Sequence, residues 1–345
     1  MIIFFKSFFV TTSYYLKKLN LQKKPVMNNL PPIVRILALL VGIILFFYVI
    51  RTQIVGCERI PHDRLREVLI PPKPDKDTLI ISPPEKPHGK NIKGVVEMGA
   101  KGFNFFIVNI DEANNWKLIK AKFGSSLVYE RLASEADIIA ALKDYISEML
   151  NYGVDGKNIH FIVGSGARTN DRTLKIEEAL KKLRYVINTV TPEQEAQYAF
   201  KSAMPRQYLQ KGFVVDIGSG NSKIAWLDEK GKIQGLETYG AKYFQDGVTD
   251  EAVIFQVKNQ VSQVPEQRRS VCFIIGGVPF EMAKPYRQNE ERYTILKKSD
   301  DYETGGDLRF ASGLNIYTTI RKETDCNFFV FDWDANFSIG FLLDL

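Results

Sequence analysis

Two short stretches of the sequence place a carboxylate at the end of an apolar run and follow it with glycine. In the first, Glu97 follows two valines and precedes Gly99. In the second, Asp216 follows two valines and precedes Gly218 and Gly220. An acid at a strand end can hold a divalent cation or a water molecule, and glycine at positive φ can turn backbone N–H groups toward an anion. The stretches favour phosphate chemistry, although an ordinary hairpin would use the same glycines for its turn alone.

The two stretches lie 119 residues apart, which is the spacing of a domain. Each pattern predicts a strand, an acid, a glycine turn and a returning strand. A duplicated fold with a cleft between two similar halves would produce this repetition. We therefore expect a first half at residues 91–207 and a second half at residues 208–345.

Alternating strand and helix patterns run through both halves and predict an α/β fold. Strands are predicted from Gly94 and at residues 105–108, 116–123, 159–163, 185–187, 213–215, 223–227, 271–275 and 328–331. Helices are predicted after Ser134 and Thr191, after Gly277, and at residues 175–183, 249–261 and, following a loop, within 308–320. Ser134 and Thr191 are each followed three residues later by an acid or amide, which is the pattern of a capping box.

The composition is that of a globular protein, with 45% hydrophobic and 25% charged residues. The net charge of +6 comes from residues 1–57, which hold seven Lys or Arg and no acid. Since the remainder is nearly neutral, it does not offer a basic nucleic-acid surface, and we expect no nucleic-acid partner. Three cysteines and three histidines exclude a disulfide framework and argue against a zinc site.

An apolar run at residues 33–50 contains a single charge, Arg35, and predicts one transmembrane helix, with a buried soluble helix as the alternative. A basic segment, residues 1–32, precedes it, and a proline-rich tether, residues 51–90, follows. The distribution of basic residues favours a bacterial inner-membrane protein whose soluble part lies outside the cytoplasm. Cys57 ends a sequence like a lipoprotein cleavage box, but a free juxtamembrane cysteine is the preferred interpretation.

Five motifs of the soluble part resemble those of the exopolyphosphatase/guanosine pentaphosphate phosphohydrolase family, in the same order along about residues 93–345. They are Ser165-Gly-Ala-Arg168, Thr191-Pro-Glu-Gln-Glu-Ala196, Asp216-Ile-Gly-Ser-Gly-Asn-Ser222, Gly276-Gly277 and Ala311-Ser-Gly-Leu314. The resemblance implies two ribonuclease-H-like domains of the actin-like ATPase type around a cleft. It also implies hydrolysis of a terminal phosphate from polyphosphate or pppGpp, with Mg²⁺ as cofactor.

The resemblance assigns roles to particular residues. Glu195 would orient or deprotonate the attacking water, and Asp216 would bind metal or water as the second catalytic acid. Metal ligands would be Asp216 and Glu97. The predicted phosphate-binding residues are Gly99, Lys101, Arg168, Gly218, Ser219, Gly220, Asn221 and Lys223. Among them Lys101 and Lys223 depart from the family pattern and are included because a lysine can neutralise phosphate. Without the resemblance, Glu195 would be interpreted as a solvated carboxylate on a first helical turn, and Arg168 equally well as a loop residue in a salt bridge.

Three departures from the family pattern affect the predicted chemistry. Ala100 and Gly102 stand where the first loop normally has hydroxyls, and Lys101 enters that loop. Lys223 replaces the acid that the family has seven residues after the aspartate. Because a lysine neutralises phosphate but cannot ligate Mg²⁺, these changes weaken metal-dependent hydrolysis and leave anion binding intact.

Two functions follow as hypotheses from these patterns. The first is a membrane-tethered phosphohydrolase acting on polyphosphate or a phosphorylated nucleotide. The second is a catalytically reduced relative that binds a phosphate ligand or a protein partner at the membrane. Membrane lipid, through residues 33–50, and a second copy of the chain are the further partners considered.

Overall fold

The structure is a computed structural model that describes residues 79–99, 102–124, 134–167 and 171–345. The predicted membrane helix at residues 33–50 lies outside the described residues, as do Cys57, Lys101 and Arg168. Among the helices that are described, none is long and apolar enough to cross a membrane. The described residues belong to one compact unit, Asp77–Leu345.

The first sheet has five strands in the order β3-β2-β1-β4-β5. Its strands are β1 (Ile92–Gly99), β2 (Gly102–Ile110), β3 (Trp116–Phe123), β4 (Ile159–Val163) and β5 (Ile187–Thr189). Strands β1, β2 and β3 form an antiparallel meander, and β4 and β5 continue from β1 in parallel. Helices α1 (Glu135–Asn151) and α2 (Asp171–Lys182) connect β3, β4 and β5.

The second sheet has six strands in the order β10-β11-β9-β6-β7-β8. Its strands are β6 (Gly212–Ile217), β7 (Asn221–Leu227), β8 (Ile233–Tyr239), β9 (Val271–Gly276), β10 (Tyr293–Ile295) and β11 (Phe328–Asp332). Its helices are α4 (Asp250–Val261), α5 (Gly277–Ala283) and α6 (Leu308–Thr324). The meander β6-β7-β8 and the parallel neighbour β9 repeat the arrangement of β1-β2-β3 and β4.

Two further helices, α3 (Pro192–Ala203) and α7 (Phe337–Leu342), lie in the core that the two sheets share. This core joins Val95 and Phe106 of the first sheet, Phe200 of α3, Val214 of the second sheet and Ile339 of α7. Two outer cores pack the opposite sheet faces against α1 and α2 and against α4 and α6. The result is a layered α/β fold in which each sheet is covered on both faces.

The helix starts confirm the capping predictions. Ser134 accepts from the backbone N–H of Asp137, and the Asp137 carboxylate accepts from the backbone N–H of Ser134. Thr191 and Gln194 form the same reciprocal pair at α3, where Pro192 takes the first helical position. Such caps satisfy backbone N–H groups that have no partner inside the helix. At α3 the cap fixes where the helix starts, and so where Glu195 lies.

Several elements differ from the sequence predictions. Strands β8 and β10 were not predicted; β8 mixes apolar residues with glycine, glutamine and glutamate, and β10 has only three residues. The strand expected at residues 185–187 is β5, two residues later. Helix α6 begins at Leu308 without a preceding loop segment, because Asp307 caps it by accepting from the N–H of Phe310.

Candidate active site

A cavity of about 890 Å³ lies at the carboxyl ends of parallel strands from both sheets. Glu97 near the end of β1, Gly164 after β4, Asp216 near the end of β6 and Gly276 at the end of β9 all line it. Ligands of open α/β sheets bind at this edge, because strand ends and the following turns expose polar groups there. The predicted cleft is therefore present, and both acids, Glu97 and Asp216, line it.

Strands β1 and β6 each carry an acid on the face that borders the shared core. Side chains alternate between the two faces of a strand, so residues two apart point the same way. Val95 and Val214 belong to the shared core, and Glu97 and Asp216 follow two residues later on the same faces. Each acid therefore stands where the apolar shared core ends and the cleft begins.

Glu195 is almost fully enclosed, with only 1% of its surface exposed. Its Oε1 accepts from the backbone N–H of Ser165, and its Oε2 accepts from Ser165 Oγ at 3.0 Å. Oε2 also lies 2.6 Å from Lys223 Nζ. Since a Cβ on Gly164 would lie 3.0 Å from Oε1, glycine there leaves room for this carboxylate. The interpretation of Glu195 as a solvated surface residue is therefore wrong.

Lys223 is buried among carboxylates and is directly opposite Asp216 in the antiparallel pair β6-β7. Burial alone would lower the pKa of Lys223, but the negative charges of Asp216 and Glu195 and the hydrogen bond to Glu195 outweigh it and raise the pKa. The side chain is therefore a stable cation. Lys223 therefore does not simply point to water, as a lysine on a strand commonly would.

Asp216 differs from Glu195 in its partners. Burial raises the pKa of Asp216, the positive charge of Lys223 opposes that rise, and the charge of Glu195 adds to it. Within the described part of the chain, no hydrogen bond to the Asp216 carboxylate is formed. Gly276, at φ +108°, allows the β9 turn to pass close by, since a Cβ there would lie 2.9 Å from Asp216 Oδ1. Asp216 is thus a buried carboxylate that faces the cleft with its oxygens available.

Glu97 lies on the opposite wall and has no lysine beside it in the described chain. Its Oε2 accepts from Asn104 Nδ2 at 3.4 Å and from Ser338 Oγ at 3.2 Å. Burial, with the charges of Glu195 and Asp216 adding to it, raises the pKa of Glu97 to about 7 despite these two hydrogen bonds. Glu97 is therefore partly protonated near neutral pH.

The turn after Asp216 contributes Gly218, Ser219, Gly220 and Asn221 to the cavity. Neither glycine has positive φ, so the predicted reason for their presence is wrong. At Gly218 the requirement is space, because a Cβ would lie 2.5 Å from the carbonyl oxygen of Asn221; a Cβ on Gly220 would meet nothing. Asn221 Nδ2 donates to Ser165 Oγ at 3.1 Å and thereby joins the turn to the Glu195 cluster.

The structure brings most of the predicted site residues together. Those that line the cavity are Glu97, Glu195, Asp216, Gly218, Ser219, Gly220, Asn221 and Lys223. Gly99 ends β1 and pairs with Gly102. Lys101 and Arg168 fall outside the described residues, so their predicted roles stay predictions.

Three residues around the acids were not predicted: Asn104, Ser165 and Ser338. Asn104 follows Glu97 by seven residues, as Lys223 follows Asp216, and this equal spacing could have identified it. Ser165 opens a motif that was noted, but the serine itself was not assigned a role. Ser338 reaches Glu97 from 241 residues away, and no local pattern indicates that contact.

The outer part of the cavity is largely apolar. The aromatic lining residues of the second half are Phe280, Phe331, Trp333 and Phe337, and those of the first half are Phe106 and Phe123. The guanidinium of Arg287 lies 4.0 Å from the centre of the Trp333 ring. Asp332 also lines the cavity, but its carboxylate accepts from Arg292 at 3.0 Å. Lys284, Arg287 and Asp334 also line the cavity, so charged side chains are present there in addition to the acid cluster around Lys223.

Comparison with solved structures identifies the fold. The Ppx/GppA phosphatase of Aquifex aeolicus superposes with a TM-score of 0.55 at 15% identity, over 73% of this chain and 98% of that chain. An exopolyphosphatase from Cytophaga hutchinsonii gives 0.56 at 14% identity, over 74% and 98%. No protein-family model and no curated protein matches the chain. The chain has the mixed α/β, two-sheet fold of the Ppx/GppA structures, and the resemblance predicted from its motifs is confirmed at the level of the fold.

Proposed function

We propose that this chain is a phosphohydrolase that removes the terminal phosphate of a polyphosphate or a phosphorylated nucleotide. In this proposal its two ribonuclease-H-like halves, residues 91–207 and 208–345, enclose the active site. The observation that carries it is the convergence on one cavity of Glu97, Asp216 and Lys223 from three strands and of Glu195 from the first turn of α3. An arrangement of acids and one fixed cation beside a glycine turn suits a reaction in which charge moves on a phosphoryl group.

The turn between β6 and β7 is the proposed phosphate site. In the described chain, the backbone N–H groups of Ser219 and Gly220 form no hydrogen bond, so they remain available to an anion. Lys223 follows on β7 and lines the same cavity. Successive free N–H groups beside an ammonium group form an anion site that needs no base or sugar contact. Phosphoryl oxygens would therefore be held between this turn and Lys223.

Asp216 is the proposed base, in place of Glu195. Both oxygens of Glu195 already accept hydrogen bonds, whereas Asp216 faces the cleft without one in the described chain. A raised pKa also makes Asp216 a better proton acceptor than an ordinary aspartate. In the reaction, a water oxygen bonds to the terminal phosphorus as the bridging P–O bond breaks. Asp216 takes the proton of the water, and orthophosphate and the shortened substrate leave.

Mg²⁺, the cofactor that the resemblance implies, does not fit the residues at this position. Lys223 Nζ lies 2.6 Å from Glu195 Oε2 and faces Asp216 across the strand pair, so a covalently attached cation already offsets part of the charge of these acids. A divalent ion placed there would be repelled by the ammonium group. The steps above are therefore assigned to side chains alone.

Orthophosphate release by the purified full chain tests the proposal. Polyphosphate and pppGpp should each be offered, with Mg²⁺ and with a chelator. Asp216→Asn should abolish release, and Glu195→Gln should reduce it by disturbing Lys223. Glu229→Gln, at an exposed turn far from the cavity lining, is the matched control and should behave as wild type. Release that is unaffected by Asp216→Asn would refute the assignment.

A second function, phosphate binding without hydrolysis, is favoured by one observation. Glu195, which the resemblance makes the water-activating residue, is held by Ser165 and Lys223 on both oxygens. A site in which this acid is held on both oxygens would bind a phosphoryl group without hydrolysing it. Saturable binding of either substrate with no orthophosphate release, by wild type as well as by variants, would select this function.

The proposed setting is the bacterial inner membrane, with residues 33–50 as a single span. The apolar run supports it, and the basic residues before the run favour a soluble part outside the cytoplasm. Protease treatment of intact spheroplasts tests the topology. Digestion of the soluble part without lysis agrees with the proposal, and protection until lysis contradicts it.

A further inference from the structure

The feature that carries a further inference is the placement of one lysine among three acids. Lys223 has 9% of its side chain exposed and Glu195 has 2%, so their ion pair is almost fully removed from solvent. Asp216 lies opposite Lys223 in the strand pair, and the charge of Glu97 also acts on the ammonium group. No other Lys or Arg in the described chain forms an ion pair with these three acids.

The surroundings hold Lys223 at this position. Its backbone is paired on both sides, with Asp216 of β6 and with Glu237 of β8. A Cβ on Gly218 would lie 3.7 Å from Lys223 Nζ, so the turn closes over the ammonium group. Ser165 fixes Glu195 through two hydrogen bonds and keeps the acceptor in place. A side chain enclosed in this way cannot swing out to admit another cation.

We propose that the ammonium group of Lys223 is the resident cation of the cleft and takes the place of a divalent metal ion between the carboxylates. The proposal rests on the site described above, but not on whether the site hydrolyses its ligand. Mg²⁺ requires near-octahedral oxygen ligands at about 2.0–2.1 Å, and an ammonium group needs only hydrogen-bond acceptors. Lys223 supplies one positive charge where a metal would supply two, so the acid cluster keeps a net negative charge that a protonated Glu97 reduces.

Two consequences distinguish this site from a metal site. Phosphate should bind equally well with a chelator and with Mg²⁺, because the cation is part of the chain. In the described chain no three acids are placed to hold one metal ion together. Removing the ammonium group should nevertheless raise the affinity of the cleft for divalent cations, because Glu97, Glu195 and Asp216 would then share it with no positive charge among them. Oxygen ligands of this kind suit Mn²⁺ as well as Mg²⁺.

Electron paramagnetic resonance of Mn²⁺ titrated into the full chain tests the proposal without any substrate. Wild type should leave the free Mn²⁺ signal unchanged, and Lys223→Gln should bind Mn²⁺ at least about tenfold more tightly. Lys284→Gln removes a cavity lysine that forms no ion pair with the acids in the described chain, and should match wild type. Stoichiometric binding by wild type, or no gain in Lys223→Gln, would overturn the proposal.

A second variant covers the case in which Lys223→Gln fails to fold. Lys223→Gln combined with Glu97→Gln removes one cation and one acid together, so the charge of the cluster is conserved. The double variant retains Glu195 and Asp216, and it should still bind Mn²⁺ more tightly than Glu97→Gln alone.

Calorimetric titration of wild type with inorganic phosphate, once with chelator and once with Mg²⁺, separates this inference from the proposed function. Binding that requires Mg²⁺ contradicts the present inference, while no binding in either condition contradicts only the proposed phosphate function.

Discussion

The two acid-bearing turns of this protein share one layout and differ in one partner. Glu97 of β1 lies opposite Asn104 of β2, and Asp216 of β6 lies opposite Lys223 of β7. In both halves the acid-bearing strand has an antiparallel neighbour on one side and a parallel neighbour on the other. The same backbone therefore presents an amide to one acid and an ammonium group to the other.

The difference shows how one side chain sets the charge of a buried acid. Glu97 and Asp216 are both removed from water, and burial raises the pKa of each. At Asp216 the positive charge of the opposite Lys223 counteracts the rise, whereas at Glu97 two neutral donors do so and the pKa reaches about 7. The second acid thus lies opposite a cation, and the first is an acid that titrates near neutrality.

The largest effect is expected from removing Lys223. Lys223→Met keeps the apolar stem but leaves Glu195 and Asp216 as buried charges without a cation. Breaking a buried pair from one side costs about 3–5 kcal/mol of unfolding free energy. Urea unfolding near neutral pH measures it, with Lys284→Met as the control. A loss no larger than that of the control would contradict the account of the second turn.

Neutralising Glu97 should stabilise the protein, in contrast to the loss of stability expected from removing Lys223. Its folded pKa of about 7 is above the unfolded value near 4.5, so the folded state holds the proton more tightly and stability falls as pH rises through that window. Glu97→Gln should therefore stabilise by about 3 kcal/mol at about pH 8 and converge with wild type near about pH 4.5. Urea unfolding across this range measures it. Glu112→Gln, at an exposed position, should show no such dependence, and a destabilising Glu97→Gln would show that Glu97 is held as an anion.

A swap of the cross-strand partner tests the comparison itself. Asn104→Lys would place an ammonium group opposite Glu97, as Lys223 stands opposite Asp216, and should lower the pKa of Glu97. The change in unfolding free energy between about pH 5 and about pH 7 should then be smaller than in wild type by about 1–2 kcal/mol. Asn104→Asp should steepen it, because a second acid raises the Glu97 pKa further. An equal pH dependence of the unfolding free energy in both variants would show that the residue at position 104 does not set the charge of Glu97.

The smallest effect is expected from Ser338, the second donor to Glu97. Ser338→Ala removes the hydrogen bond to Oε2 and should cost about 1 kcal/mol, with a further upward shift of the Glu97 pKa. The urea unfolding midpoint measures the loss of stability, and the pH dependence of that midpoint measures the shift of the Glu97 pKa. Ser270→Ala, on an exposed loop, is the control. An unchanged pH profile would mean that Ser338 matters only for the start of α7.

The sequence predicted what depends on near neighbours. The capping boxes at Ser134 and Thr191 need only four consecutive residues, and both are present. The apolar runs of β4 and β9 are buried on both faces, so their composition alone indicates a strand. Strand β8 escaped prediction because its mostly half-exposed residues alternate weakly and include Gly235, which packs closely against α3.

What the sequence did not predict depends on contacts between distant segments. The pairing of Lys223 with Glu195 requires β7 and the start of α3 to meet, and neither pattern encodes that distance. The role of Asn104 follows from the register of β1 and β2, which the spacing of seven residues could have suggested. Ser338 reaches Glu97 because α7 packs in the shared core, a tertiary fact with no local signature.

The most direct test of the central claim is the position of a phosphate-like anion in crystals of the full chain. Tungstate resembles phosphate in shape and charge, and its anomalous scattering locates it without ambiguity. The account predicts a tungstate site within hydrogen-bond distance of Lys223 Nζ and of the N–H groups of Ser219 and Gly220, with no metal ion added. Tungstate bound only beside Lys284 and Arg287, or only outside the cleft, would contradict it.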